Sequence, residues 1–277
     1  MSRSAEPLLT GPIAITGASG QVGRSLCRRL EALPNEVRPL GRRDDLRPAL
    51  RDAAAVVHLA GSLRPKPPSS YKEANVRTTE RLVAALQGSS VERIVFLSYT
   101  GADRSSPNAY LRTKGEAEGL LYRSGRDCVI FRCTHICGPR EEPGPTVSAL
   151  LARHGGPVWI LGRGAQRVAP VYREDVVDAI VAALDPRTHH GRFDLPGPDE
   201  MTMDDFVRLL NGGSAKLPHL PVLVARALGR THPGLTPELV EMMLADSLGD
   251  QVRAVRAFGL ARRRLQDVYA ARTAAAA

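Results

Sequence analysis

A chain of 277 residues with 43% hydrophobic content and a net charge of +9 has apolar side chains enough for one large core or two modest ones. Its longest apolar stretches, such as "AAAVVHLAG" and "LPVLVARALG", fall short of the ~20 residues a membrane span needs, and "MSRSAEPLLTGPIAITG" holds no signal-like apolar stretch before its first glycine turn. These features exclude a membrane span and give a cytoplasmic expectation. The positive charge comes from arginines spread along the whole chain with few aromatics among them, which argues against a nucleic-acid partner. Cys27, Cys128, Cys133 and Cys137 form no C-x-x-C pair, and no H-E-x-x-H occurs, so reduced thiols and no metal are expected.

The first element is the apolar run Ile13 to Thr16, which meets a glycine-rich turn and then a segment with helical spacing at Val22, Leu26 and Leu30. A second short strand ends near Leu40, and "LRPALRDA" is a helix. "AVVHLAG" is a third strand. "YKEANVRTTERLVAALQG" is a helix, Ile94 to Ser98 a fourth strand, "AYLRTKGEAEGLLYRSG" a helix closing at Gly125, and "DCVIFRCTHICGP" a fifth strand. Strands alternating with helices imply right-handed βαβ units and a doubly wound parallel sheet of the α/β class. The all-apolar "AVVHLA" and "RIVFL" suit strands buried on both faces.

Beyond Pro139 the alternation loosens. "VSALLARHG" reads as a short helix, "VWILGRGAQRVAPVY" as irregular or strand-like, "REDVVDAIVAALDP" as an amphipathic helix, and "GRFDLPG" as one more strand for the sheet. Helices and turns follow from about Met201. The expected organisation is a nucleotide-binding core over 8–140, with 168–197 returning to it. A small, mostly helical substrate lobe covers 141–167 and 198–270, and 271–277 is a disordered tail.

Gly17, Gly20 and Gly23 stand three apart directly after the first strand. A pyrophosphate site needs glycine there because the chain must turn tightly and bring its amides to the ligand, while the next helix offers its N-terminal N–H groups. Ser19, Gln21 and Val22 fall in the same turn. After the second strand comes "GRRDDL". An acidic residue at this place binds the adenosine ribose, whereas arginine accepts a 2′-phosphate. Arg42 and Arg43, with Asp45 just beyond, lean the expectation toward NADP(H) over NAD(H); arginines on a solvated loop are the alternative.

Among 38 basic residues only four are lysine, and one of them, Lys114, lies four positions after Tyr110 on the same helix face. An ammonium beside a phenol stabilises the phenolate, which suits the phenol to exchange a proton with a carbonyl oxygen as hydride arrives or leaves. The compact ammonium can also donate to ribose hydroxyls, which a guanidinium does less well. Taken alone, such a pair is more often an exposed helical Tyr–Lys; the glycine turn tips the balance.

The segments "ITGASGQVGRSL", "VVHLAG", "ANVRTTERLVAAL", "IVFLSYTGA", "AYLRTKGEAE", "VIFRCTHICGPR" and "VAPVYREDVVDAI" occur in the order seen in short-chain dehydrogenase/reductases. The chain resembles the extended and atypical, epimerase/dehydratase-like branches over roughly residues 10 to 210. The resemblance implies a Rossmann-type core and several roles. Gly17, Gly20 and Gly23 would hold the pyrophosphate, and Leu59, Ala60 and Gly61 would border the adenosine side. Asn75 would support a water beside the lysine, Tyr110 would be the acid/base with Lys114 as its partner, and Pro139 would approach the nicotinamide. A homodimer is common among relatives, and oligomeric state stays open.

Departures from the family pattern accompany these matches. The Ser-Ser pair that usually ends the fourth strand reads "LSYTGA", so Tyr99 takes the second position and leaves Ser98 or Thr100 to polarise a carbonyl. Only 12 positions separate Ser98 from Tyr110, and the region after residue 140 is short. These features argue for a small carbonyl or alcohol substrate and against a large nucleotide sugar. The expected function is NAD(P)(H)-dependent oxidation, reduction or epimerisation. The alternative is a cofactor-binding accessory or redox-sensor protein without turnover. Arg140, Arg163 and Arg167 could contact an anion, or could simply be solvated.

Overall fold

The computed structural model describes residues 9–66, 68–139, 141–144, 147–152, 155–231 and 235–270. The low-complexity tail and Arg140 lie outside these. The chain forms two compact units: one runs up to Arg132 and adds Val176–Asp194 and Val252–Leu260, the other comprises Cys133–Asp175, Leu195–Gln251 and the stretch from Ala261 on.

In chain order the elements begin β1 (Ile13–Thr16), α1 (Gln21–Leu30), β2 (Val37–Leu40), α2 (Leu46–Leu50) and β3 (Ala55–His58). A π-helical turn, Lys72–Arg77, runs into α3 (Thr78–Ala85), followed by β4 (Arg93–Tyr99), α4 (Ala109–Arg123) and β5 (Asp127–Cys133). Next come β6 (Ile136–Cys137), β7 (Ile160–Leu161), β8 (Arg167–Val168), β9 (Val171–Tyr172), α5 (Arg173–Ala183) and β10 (Gly191–Leu195). The rest is β11 (Met201–Thr202), α6 (Met203–Leu210), β12 (His219–Leu220), α7 (Val222–Thr231), α8 (Pro237–Leu244), α9 (Arg253–Phe258) and α10 (Leu265–Ala270).

The first unit is a six-stranded sheet in the order β10-β5-β4-β3-β1-β2, and the pairs β1–β2, β1–β3 and β3–β4 are parallel. Every residue of β1 and β3 is buried, as expected of strands covered on both faces. Pro39 sits inside β2 because β2 is an edge strand, where a missing N–H costs no ladder bond. Helix α1 buries Gly23, Ser25, Leu26 and Leu30, so the stripe read as Val22, Leu26 and Leu30 is rotated slightly. One core joins Ala14, Val56, Leu82, Ile94, Leu121 and Ile130. On another side of the sheet Phe131, Phe193 and Phe258 pack edge to face, with centroids 5.2 and 4.9 Å apart.

The second unit is built differently. Three two-stranded ribbons, β6–β9, β7–β12 and β8–β11, replace the irregular stretch and supplement the helices that the sequence suggested. The segment read as a helix from Val147 is reduced to one 3₁₀ turn, Ser148–Leu150. Helix α6 buries Met203, Phe206, Val207 and Leu210 against Ile160, Val168 and Tyr269, whose hydroxyl donates to the Gly138 carbonyl at 2.9 Å. Among the described residues no helix is long and apolar enough to cross a membrane, and no group of three or more His, Cys, Asp or Glu side chains is placed to hold a metal ion.

Candidate functional site

Each motif glycine has its own reason. Gly17 takes φ +71°, and a Cβ there would lie 2.7 Å from the Leu59 carbonyl carbon and the Ala60 nitrogen. A Cβ on Gly23 would stand 2.5 Å from the Gly17 oxygen and 2.7 Å from Ala18, so the helix can start this close to the strand only as glycine. Gly20 is roomier, with 3.2 Å to the Gly17 oxygen, and it caps α1 in an extended conformation without a side-chain acceptor. The first N–H groups of α1 are therefore left for an anion.

This turn opens on a cleft of about 380 Å³. Of the sequence-predicted cofactor residues, Gly17, Ser19, Gly20, Arg42, Leu59, Ala60 and Gly61 line it. Gln21, Val22 and Gly23 lie in the first turn of α1 behind that lining. Asp45 caps α2, accepting from Arg47 N at 3.1 Å, and Arg43 is exposed on the same loop. Pro139 belongs to the second unit, in a turn closed by Gly138 N to Pro143 O at 2.8 Å and Glu142 N to Pro139 O at 2.9 Å. Sequence reasoning missed Thr16, His58, Glu73, Arg77 and Arg81, which also line the cleft. Arg81 donates to the carbonyls of Arg42 (3.0 Å) and Asp44 (3.3 Å), while the Asp44 carboxylate accepts from Gly41 N (2.7 Å). The loop after β2 is thus held from both sides.

Asn108 caps α4 by accepting from the N–H groups of Tyr110 (3.1 Å) and Leu111 (3.3 Å). That start places Tyr110, Lys114 and Glu118 on one buried stripe. Lys114 Nζ donates to the Leu97 carbonyl at 2.6 Å and lies 4.0 Å over the Phe96 ring, a cation–π arrangement. Asn75, buried in the π-helical turn, donates to Thr113 Oγ1 at 3.1 Å and accepts from Ser62 N at 3.0 Å; Thr113 in turn donates to the Tyr110 carbonyl. A Cβ at position 61 would come 2.8 Å from Asn75 Oδ1, so Gly61 makes room for it. The structure ties Asn75 to the Tyr110 backbone through Thr113, while Lys114, on the same buried stripe, is held by the Leu97 carbonyl.

It does not bring Ser98 there. Ser98 donates to Glu118 at 2.6 Å, where the same carboxylate receives Arg132 Nε at 2.9 Å and its terminal nitrogen at 2.8 Å, with Arg192 Nε 3.1 Å away. Tyr99 faces the Tyr110 ring edge-on with centroids 5.8 Å apart, and Tyr71 flanks Tyr110 at 6.0 Å. Thr100 is half-buried in the turn just after β4.

His58 stacks on Phe96 with centroids 5.5 Å apart. Burial, with the Lys114 charge adding to it, pulls its imidazole down to about 3, so the ring is neutral at neutral pH.

A glycine cradle opening onto a helix N-terminus, at the carboxyl ends of parallel strands, defines a Rossmann-type dinucleotide-binding unit. The sequence model of the NAD dependent epimerase/dehydratase family matches residues 13–194, and the chain belongs to that family. Subunit 9 of the NADH dehydrogenase [ubiquinone] 1 alpha subcomplex of Arabidopsis thaliana mitochondria is 28% identical over 67% of this chain and 47% of its own length. UDP-2-acetamido-2,6-beta-L-arabino-hexul-4-ose reductase of Pseudomonas aeruginosa is 30% identical over 62% and 49%. The chain spans about half the length of these curated relatives. UDP-glucuronic acid 4-epimerase from Bacillus cereus, solved with NAD, shares the fold with a TM-score of 0.73 at 20% identity, covering 93% of this chain and 96% of the other.

These findings correct the cofactor expectation. The lean to NADP(H) rested on Arg42 and Arg43, but the family is NAD-dependent and the solved neighbour holds NAD. Both arginines are exposed in a chain that uses arginine for nearly all its positive charge, which agrees with the solvated-loop alternative.

Proposed function

We propose that this chain binds NAD in the cleft of the first unit and catalyses oxidation, reduction or epimerisation of a small alcohol or carbonyl compound, with Tyr110 as acid/base. When bound, NAD supplies the hydride acceptor or donor. The chain's residues do the rest. The Gly17–Gly23 turn and the start of α1 bind the pyrophosphate. Tyr110 holds or releases the proton at its hydroxyl, and Lys114, fixed on the Leu97 carbonyl, places a positive charge one helical turn away. Asn75 and Thr113 lock the first turn of α4 to the segment after β3.

The observation that carries this reading is the hydrogen-bond chain from Asn75 through Thr113 to the Tyr110 carbonyl, with Lys114 on the same buried helix stripe, in the unit that holds the glycine cleft. The relatives named for sugar reduction and epimerisation support the reaction class, and the short connection from Ser98 to Tyr110 supports a substrate smaller than theirs. In this reading the second unit serves as the substrate lobe, with Val252–Leu260, expected in that lobe, belonging to the first unit instead, and the protein works in the cytoplasm; homodimer formation is tested by light scattering. A panel of ketones, aldehydes, alcohols and nucleotide sugars, followed at the NADH absorbance band, tests the activity. Tyr110→Phe is expected to lower the rate by about a hundredfold or more with NAD+ affinity unchanged. Full activity in that variant would end the proposal.

A second reading, a cofactor-binding accessory protein without turnover, draws on the commitment of Ser98 to Glu118 and on Tyr99 in the usual hydroxyl position. Tight NAD+ binding with no turnover across the panel would favour it.

A further inference from the structure

His58 ends β3, lines the cleft, and is buried among groups whose hydrogen-bond roles can be assigned. Thr79 Oγ1 lies 2.8 Å from the Asn75 carbonyl, which can only accept, so its single proton points there. Toward His58 Nε2, 3.0 Å away, the same oxygen must therefore accept, and Nε2 carries the hydrogen. In a neutral ring Nδ1 is then an acceptor, and its partner at 2.7 Å, Thr16 Oγ1, donates to it. Thr16 Oγ1 is left to accept from Ala60 N at 3.4 Å. Each assignment fits the others in a neutral ring, the form that complete burial favours. Thr16 is the last residue of β1, immediately before Gly17; Thr79 is one turn after Asn75.

We propose that His58 is a positioning residue: a neutral imidazole with its proton on Nε2, tying the strand end that feeds the glycine turn to the helix that carries Asn75, and so holding the pyrophosphate end of the cleft in its binding shape. This rests on the cofactor reading above. The neighbouring charge is Lys114, across Phe96, and it opposes protonation of the ring. His58 thus acts through Thr16 and Thr79, without a proton to give.

Two measurements on the full chain test this. Long-range proton–nitrogen NMR of the imidazoles should give His58 the Nε2–H pattern, unchanged from pH 8 to pH 5. An Nδ1–H pattern, or titration near 6.5, would overturn the assignment. Calorimetric titration with NAD+ should show Thr16→Val and His58→Phe weakened roughly tenfold, as expected when a buried polar partner is lost beside the ligand. Thr79→Val should weaken binding by less, since it leaves the Thr16 contact in place. His58→Phe keeps the stack on Phe96; should it fail to fold, Thr16→Val alone decides. Thr16→Val with wild-type affinity and a lowered unfolding midpoint would reduce His58 to a core residue and sink the proposal. Absence of NAD+ binding by the wild type would defeat the cofactor reading itself, while the NMR result would still decide the tautomer.

Discussion

The connections β1–α1 and β4–α4 both lead from a strand end of the same sheet into a helix, and they are made in opposite ways. The first is built from backbone. Gly17 and Gly23 stand where a single added carbon would collide with main-chain atoms at 2.5–2.7 Å, and α1 starts without a side-chain cap. The second is built from side chains. Tyr110 and Lys114 depend on an asparagine cap, on Asn75 through Thr113, and on Glu118 clamping α4 to Ser98, Arg132 and Arg192. A backbone-built site concentrates its dependence on the glycines that must leave room for it. A side-chain-built site spreads its dependence over partners distant in sequence.

The largest effect should come from Gly23→Ala. Its Cβ meets main-chain atoms that cannot move aside, so NAD+ binding should fall by about a hundredfold or more in calorimetry, whereas Gly20→Ala, with 3.2 Å available, should lose less. Equal losses would mean that close helix packing is not what distinguishes the two glycines.

Next in size is Glu118→Leu. It leaves the Arg132 guanidinium facing a hole where a nearly inaccessible carboxylate stood, and should cost about 3 kcal/mol in urea unfolding. Ser98→Ala removes one hydrogen bond to that carboxylate and should cost about 1 kcal/mol with NAD+ affinity unchanged. A Ser98→Ala enzyme with normal stability and abolished turnover would return the hydroxyl to catalysis and blur the contrast.

A further effect is graded with pH. Burial lowers His58 to about 3 and His135 to about 4 in the folded chain, against about 6.5 unfolded. The unfolded chain therefore binds more protons between these values. Stability should be fully present above about 6.5 and fall as pH drops below it, by up to about 1.4 kcal/mol per pH unit for each histidine. The lowered carboxyls of Asp52, Asp103 and Asp185 add to the loss only in more acid solution, below the usual carboxylate range. Unfolding midpoints that are flat from pH 7.5 to 5 would contradict the burial of these rings.

The same contrast explains what was legible in the amino-acid sequence. The glycine turn was readable because a backbone constraint leaves a residue type at a fixed spacing. The Tyr110–Lys114 pair was readable because one helix turn sets its geometry. The commitment of Ser98 was hidden, since it depends on an acceptor twenty residues away on α4. The π-helical turn that aims Asn75 has the same apolar pattern as an α-helix and leaves no mark of its own. Arg81 looked like any exposed helix arginine until the fold set it beside the carbonyls of the loop after β2. In the second unit, strands of two residues are too short to show a period, so the ribbons read as irregular chain.

One measurement bears most directly on the claim that the β1–α1 turn is an NAD site: paired calorimetric titrations of the wild type and Gly23→Ala with NAD+. The account predicts saturable 1:1 binding by the wild type and its loss in a variant that still unfolds cooperatively. Wild-type protein that binds no NAD+, or a folded Gly23→Ala that binds it equally well, would contradict the account.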